Sequence, residues 1–278
     1  MALPALPVAA VLAGAFLHAA WNVGIRGGAD RNRSTILLLA GAVLIAVALL
    51  PFLPAPRAAA WPYLGRSALL HVLYFFLVAK AYQRAGVSLV YPAMRGVAPL
   101  LTTLIAVLFL GEALDAAAWM GILLICGGIV LMARGRATPD ELVGLAAALL
   151  NAVIIAAYTV NDALGVRASD APLSYTLWIY LLCAVPVALL LHREKSFCKP
   201  RIRELAYGVG AAACSIASYA LALWALTRAP VAPIAALRET SMVFGVILAF
   251  LFLGERPGRR GWIAMIFIIA GAALLRLA

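Results

Sequence analysis

The stretch YPAMRGVAPLLTTLIAVLFLGE, Tyr91 to Glu112, decides the fold. It sets Arg95 inside an otherwise apolar run that ends in Leu-Gly-Glu. A near-copy, AALRETSMVFGVILAFLFLGE, runs from Ala235 to Glu255 with Arg238 in the matching place. An arginine at the centre of a membrane helix costs about 2.5–3.5 kcal/mol and turns toward a protein interior or a water-filled cavity. Two of them in matching places predict a two-fold machine.

The match extends outward from both copies. Residues 84–132 lie over residues 228–275 with a one-residue gap. Arg84 then falls on Arg228, Gly111 and Glu112 on Gly254 and Glu255, Trp119 on Trp262, and Gly128 on Gly271. More weakly, His18 falls on Asn151. Of the 278 residues, 66% are hydrophobic and 12% charged, against about 25% charged in a soluble domain. The chain therefore reads as a polytopic all-α integral membrane protein.

A span needs about 20 predominantly apolar residues, and ten segments qualify: Pro7–Arg26, Ser34–Leu53, Leu64–Gln83, Val87–Leu110, Ala116–Ala133, Glu141–Asn161, Leu173–Leu191, Leu205–Thr227, Val231–Leu253 and Gly261–Leu277. The first is a membrane helix and not a signal peptide, because Met1 to Pro7 lacks a basic start and the segment has a counterpart in the second half. The links are short, marked by Pro or Gly, and leave no room for a soluble domain. With five helices per half, residues 1–135 and 136–278 form two repeats that enter the membrane from opposite sides. Such an inverted repeat belongs mainly to transporters.

The net charge of +11 forms no aromatic-interleaved basic face, so nucleic acid is not the expected partner; the lipid bilayer is. Of the 22 Lys and Arg, fourteen fall in the links after the first, third, fifth, seventh and ninth segments, and five in the termini and other links. Lys80, Arg95 and Arg238 lie within helices. The positive-inside rule then puts both termini on the periplasmic side of a bacterial inner membrane. Cys126, Cys183, Cys198 and Cys214 have no metal-ligand spacing and read as apolar filler.

Several polar residues carry possible chemistry. Arg95 either grips a substrate carboxylate with two hydrogen bonds, or snorkels to the nearer interface or bonds a neighbouring carbonyl. The flanking Pro92 and Pro99 favour the first reading. Glu239 reads as the one acid well inside a predicted helix. It binds a substrate ammonium, exchanges a proton, or pairs with Arg95 or Arg238 as a structural lock, the last being favoured. His18, Trp21, Asn22 and Ile25 share one face of the first helix. Asn151 and Tyr158 repeat that face on the sixth. His71 and Tyr74 on the third helix, and Ser215, Ser218 and Tyr219 on the eighth, add further polar stripes. These either glue helices together or, with Tyr91, wall a cavity for amphipathic molecules. Trp61, Trp119 and Trp262 read as interface anchors, Glu112 and Glu255 as structural, and Gly127, Gly128 and Gly271 as points of close helix approach.

No motif of metal hydrolysis, acyl transfer or phosphate binding is present, so neither a catalytic residue nor a cofactor or metal is expected. Asp30, Asp115, Asp140, Glu141, Asp162 and Asp170 do not cluster with His71 or His192 in the linear pattern. That weakens the remaining enzyme reading, an intramembrane enzyme acting on lipid intermediates.

LHAAWNVGIR (17–26), YPAMRGVAPLLTTL (91–104), the two Leu-Gly-Glu ends and the glycine-rich helices after them resemble the drug/metabolite transporter superfamily in its EamA-domain branch. Among its members the chain is most similar to exporters of aromatic amino acids and of paraquat-like cations. The resemblance implies ten helices in two inverted five-helix repeats around a central cavity. It implies export of small amphipathic metabolites by alternating access, most of all aromatic or apolar amino acids. Nucleotide sugars and organic cations are the alternative substrates. Arg95, with Tyr91 one turn before it, is the expected substrate contact, and Arg238–Glu239 the expected gate or lock. The second copy lacks the Tyr-Pro pair, so the halves are not expected to bind symmetrically. A monomer is compatible with this plan.

Overall fold

The computed structural model describes residues 3–27, 31–133, 138–191 and 202–277. Asp30, His192, Cys198 and most of the basic link after the seventh segment lie outside them. Among the described residues all regular structure is helical: α1 Ala5–Gly27, α2 Arg31–Leu49, α3 Trp61–Arg84, α4 Val87–Leu110, α5 Ala116–Leu131, α6 Pro139–Ser169, α7 Pro172–Leu191, α8 Ile202–Leu226, α9 Val231–Arg238, α10 Ser241–Leu253 and α11 Arg259–Leu277. Eight stretches are long and apolar enough to span a bilayer, with Val231–Leu253 counted as one, and Ala116–Leu131 and Pro172–Ala184 are shorter apolar helices. The chain is a multi-pass membrane protein.

Local chemistry sets the helix ends. α6 opens with a capping box: Thr138 Oγ1 accepts from the Glu141 amide, the Glu141 carboxylate accepts from the Thr138 amide, and Pro139 fills the first helical position. α5 opens on Asp115, which accepts from the Ala118 amide at 2.7 Å. α4 and α10 both stop at a left-handed glycine, Gly111 and Gly254, each with φ of 69°.

Two helices differ from expectation. The apolar run Val231–Leu253 is not one helix, because it breaks at Glu239–Thr240 into α9 and α10. There the Glu239 and Thr240 amides reach back only three residues, to Ala236 and Leu237, and Thr240 Oγ1 also donates to the Leu237 carbonyl at 2.8 Å. A hydroxyl beside the backbone competes for helix carbonyls in this way. The second difference is α6, which continues past Asn161 to Ser169 and takes Asp162 into its buried interior. Val160, Ala163 and Val166 continue its apolar face.

α3 packs mainly on α6, and α1 mainly on α8; α4 lies against α6, and α1 against α10; α5 and α11 pair with each other. Small residues permit the last pairing, since a Cβ on Gly271 would sit 2.5 Å from the Gly121 carbonyl oxygen. Gly128 approaches α11 in the same way, whereas Gly127 faces open space. Large apolar side chains such as Leu108, Phe109, Leu251, Phe252 and Ile266 point outward, as a lipid-facing surface requires. Polar groups gather where α4, α6, α8 and α9 meet.

Candidate functional site

Arg95 sits on the buried face of α4, where residues 92–96 are all shielded. Pro99 has no amide to offer the carbonyl one turn back, and α4 nonetheless stays continuous. Thr102 Oγ1 donates to the Ala98 carbonyl at 2.9 Å and Thr103 Oγ1 to the Pro99 carbonyl at 2.8 Å. Opposite, the α9–α10 break presents Glu239. Arg95 Nε and Glu239 Oε2 lie 2.8 Å apart, with side chains 8% and 6% exposed. The Nε–H is not aimed at the carboxylate, so the contact is an ion pair without an aligned hydrogen bond. Among the described residues the guanidinium makes no aligned hydrogen bond, and it lines a small pocket with Thr102, Thr159, Arg238 and Glu239.

Arg238 does not share Glu239's carboxylate at ion-pair distance. Its guanidinium lies 5.4 Å from the Tyr219 ring centroid, a cation–π position. Tyr219 belongs to an aromatic wall. His71 stacks on Tyr158 at 4.4 Å and meets Tyr219 edge-on at 6.1 Å, while Tyr74 stands perpendicular to Tyr158 at 6.1 Å. Tyr91 and Tyr74 both fall within electrostatic reach of Arg95, and His18 of Arg95 and Arg238.

The other expected residues divide. His18 and Trp21 form an edge-to-face pair at 5.2 Å, and Trp21 Nε1 is a buried donor without a partner. Asn151 is fully buried, its amide nitrogen 3.5 Å from Met94 Sδ and its Oδ1 without a donor. Unpaired buried polar atoms are rare in folded proteins and call for a reason. By contrast the Asn22 amide is spent on its own helix, donating to the His18 carbonyl at 2.8 Å. Ser215 pairs with Tyr180 at 2.8 Å, and Ser218 donates to the Gly14 carbonyl at 2.7 Å. The last two bonds glue helices together, α7 to α8 and α8 to α1.

Two functional features escaped the sequence. Asp162 falls just past the segment ending at Asn161, yet it is fully buried and accepts from Tyr219 at 2.5 Å, Tyr175 at 3.2 Å and Asn161 at 3.1 Å. The period of Val160, Ala163 and Val166 was the signal for a longer helix. Glu112 carries more than a helix end: its carboxylate accepts from the Val231 amide, and from the Ala232 amide at 3.0 Å, capping α9 from the α4–α5 link. That partner lies 119 residues away, beyond any local pattern.

The family model of the EamA-like transporter family matches the chain twice, over residues 5–134 and 142–277. No curated protein matches. Among solved structures 29 chains match. One crystal structure aligns with a TM-score of 0.77 and 21% identity over 98% of this chain and 96% of that one, a likeness in fold.

Proposed function

The chain belongs to the EamA-like transporter family, a family of membrane transporters of small solutes, and on that premise we propose that it exports small amphipathic metabolites, foremost aromatic or apolar amino acids, by alternating access. The observation that carries this reading is the Arg95–Glu239 pair: a buried guanidinium held by one ionic contact, with its hydrogen-bonding capacity unspent, on a pocket beside an aromatic wall. A substrate carboxylate offers Arg95 the bidentate geometry that Glu239 does not supply. Tyr158, Tyr74 and His71 take an aromatic or apolar side chain. Trp21 Nε1 and Asn151 Oδ1 offer a donor and an acceptor, the latter suited to an ammonium.

In this mechanism the substrate carboxylate competes with Glu239 for Arg95. Displacing Glu239 uncouples α4 from the α9–α10 break, and discontinuous helices at mid-membrane are where transporters bind and move. The paired packing of α3 with α6 and α1 with α8, and the two matched stretches, support ten spans in two inverted repeats, residues 1–135 and 136–278. The loop charges favour periplasmic termini. An organic-cation substrate would rely on Glu239, which Arg95 already occupies here.

Counterflow in proteoliposomes against a panel of labelled amino acids tests the proposal. Aromatic and apolar members should exchange, and Arg95→Ala should lower the rate at least about tenfold, the weight of one lost charge-assisted contact. Undiminished exchange by the variant refutes Arg95 as anchor.

A further inference from the structure

Asp162 is a full carboxylate in the buried interior of a membrane helix, and among the described residues no basic side chain forms an ion pair with it. Glu239, the other buried acid near the site, has Arg95. Three donors from three helices converge on Asp162: Tyr219 of α8 on Oδ2, and Tyr175 of α7 and Asn161 of α6 on Oδ1. Asn161 is itself fixed by the Tyr63 carbonyl at 2.9 Å. Room for Tyr175 is made by Gly165, where any Cβ would collide with the phenol oxygen.

A staple between helices would need no charge, since an asparagine could hold them with neutral hydrogen bonds. An ionisable group without a counter-charge in hydrocarbon is costly, and such groups mark ion and proton pathways. α6 rests mainly on α3 and α4 and meets α7 and α8 over a short stretch, so Asp162 is a principal tie between α6 and those two helices. Tyr219 is the junction, with its hydroxyl on Asp162 and its ring under Arg238, the neighbour of Glu239.

We propose that Asp162 is the proton-binding site that couples transport to a pH gradient. This rests on the transporter reading above. When Asp162 Oδ2 accepts a proton, the bond from Tyr219 loses its charge assistance and weakens, so the hold of α6 on α8, and on the Arg238 stacked on Tyr219, is loosened. When the proton leaves to the opposite side, the charge assistance returns and the tie tightens. Only the carboxyl O–H bond forms and breaks.

The surroundings contain other ionisable groups. α3 contributes Tyr63, Arg66, which lies 4.5 Å over the Tyr63 ring, and His71. α7 adds Tyr175 and Cys183, and α6 itself Tyr158. Beyond Tyr219 stand Arg238, then the Arg95–Glu239 pair. Arg167, on the same helix, is spent on the Leu226 and Ala229 carbonyls at 2.8 and 3.1 Å.

Two readouts on the full-length protein test this. In the first, infrared difference spectra between acid and alkaline pH should show the carbonyl stretch of a protonated carboxylic acid. The share of that band owed to a buried acid, above the background of the exposed Asp and Glu side chains, should be lost in Asp162→Asn and kept in Glu239→Gln and Asp162→Glu. It needs no substrate, so it decides the proton site even if the amino-acid panel is not transported. In the second, proteoliposomes with an imposed pH gradient should accumulate labelled phenylalanine. Asp162→Asn should lose gradient-driven accumulation about tenfold or more while retaining counterflow, and Asp162→Glu should recover accumulation. A band unchanged in Asp162→Asn, or accumulation equal to the natural chain, overturns the proposal. Loss of counterflow together with accumulation in a monodisperse Asp162→Asn protein also overturns it, in favour of a staple.

Discussion

At single residues the protein holds charges in a poor solvent for charge. Removing one member of a buried ion pair strands the other, at about 3–5 kcal/mol. Arg95→Gln and Glu239→Gln should therefore each lower the thermal midpoint in detergent markedly, while the double variant should recover most of the loss. Single variants as stable as the natural chain would mean that the pair carries no such weight. Arg95 was legible in the sequence because an arginine is costly in such a run, and Glu239 was legible as a lock whose partner was either Arg95 or Arg238; the ion pair is with Arg95. Asp162 was not legible, because a rule that counts apolar residues stops at the first polar pair, and Asn161–Asp162 is such a pair. The aromatic wall was half legible: Tyr158 and Tyr219 fall on polar stripes, but that Tyr219 bridges Asp162 and Arg238 follows only from how α8 meets α6 and α9.

At the element scale the short α9 is decisive. It is a half-span whose first amides are held by Glu112 and whose end brings Arg238, and Glu239 just after it, to the site. Glu112→Ala should cost about 1 kcal/mol, as for other lost N-caps, and speed hydrogen exchange at the Val231 and Ala232 amides relative to α6. Exchange that is unchanged would place the cap's weight elsewhere. The α5–α11 pair gives a second expectation. Gly271→Val must push a side chain into the Gly121 carbonyl, for which overpacking of about 1–3 kcal/mol is typical, so the melting point should fall. Helix existence was readable from apolar length throughout. The α9–α10 break was not, because Thr240 and Ser241 follow a charged pair in an otherwise helix-compatible run. The matching residues of α4, Gly96 and Val97, stay helical, and α4 runs unbroken past Pro99.

At the scale of the whole molecule, composition and the repeated Arg95 and Arg238 stretches made a multi-pass transporter fold legible before any coordinate. Which helices face each other was not, since most packing partners, such as α3 with α6 and α1 with α8, are not neighbours in the chain. The loop charges predict that a phosphatase fused after the last residue is active and a cytoplasmic reporter there is silent; the opposite pattern would invert the proposed orientation. The central claim is that Arg95 recognises a carboxylate in competition with Glu239. Equilibrium binding of phenylalanine and of phenethylamine, its counterpart without the carboxylate, tests it most directly on the natural chain and on Arg95→Ala. The natural chain should prefer phenylalanine by about tenfold or more, the share of one charge-assisted contact, and Arg95→Ala should lose the preference. A preference that survives the substitution would contradict it.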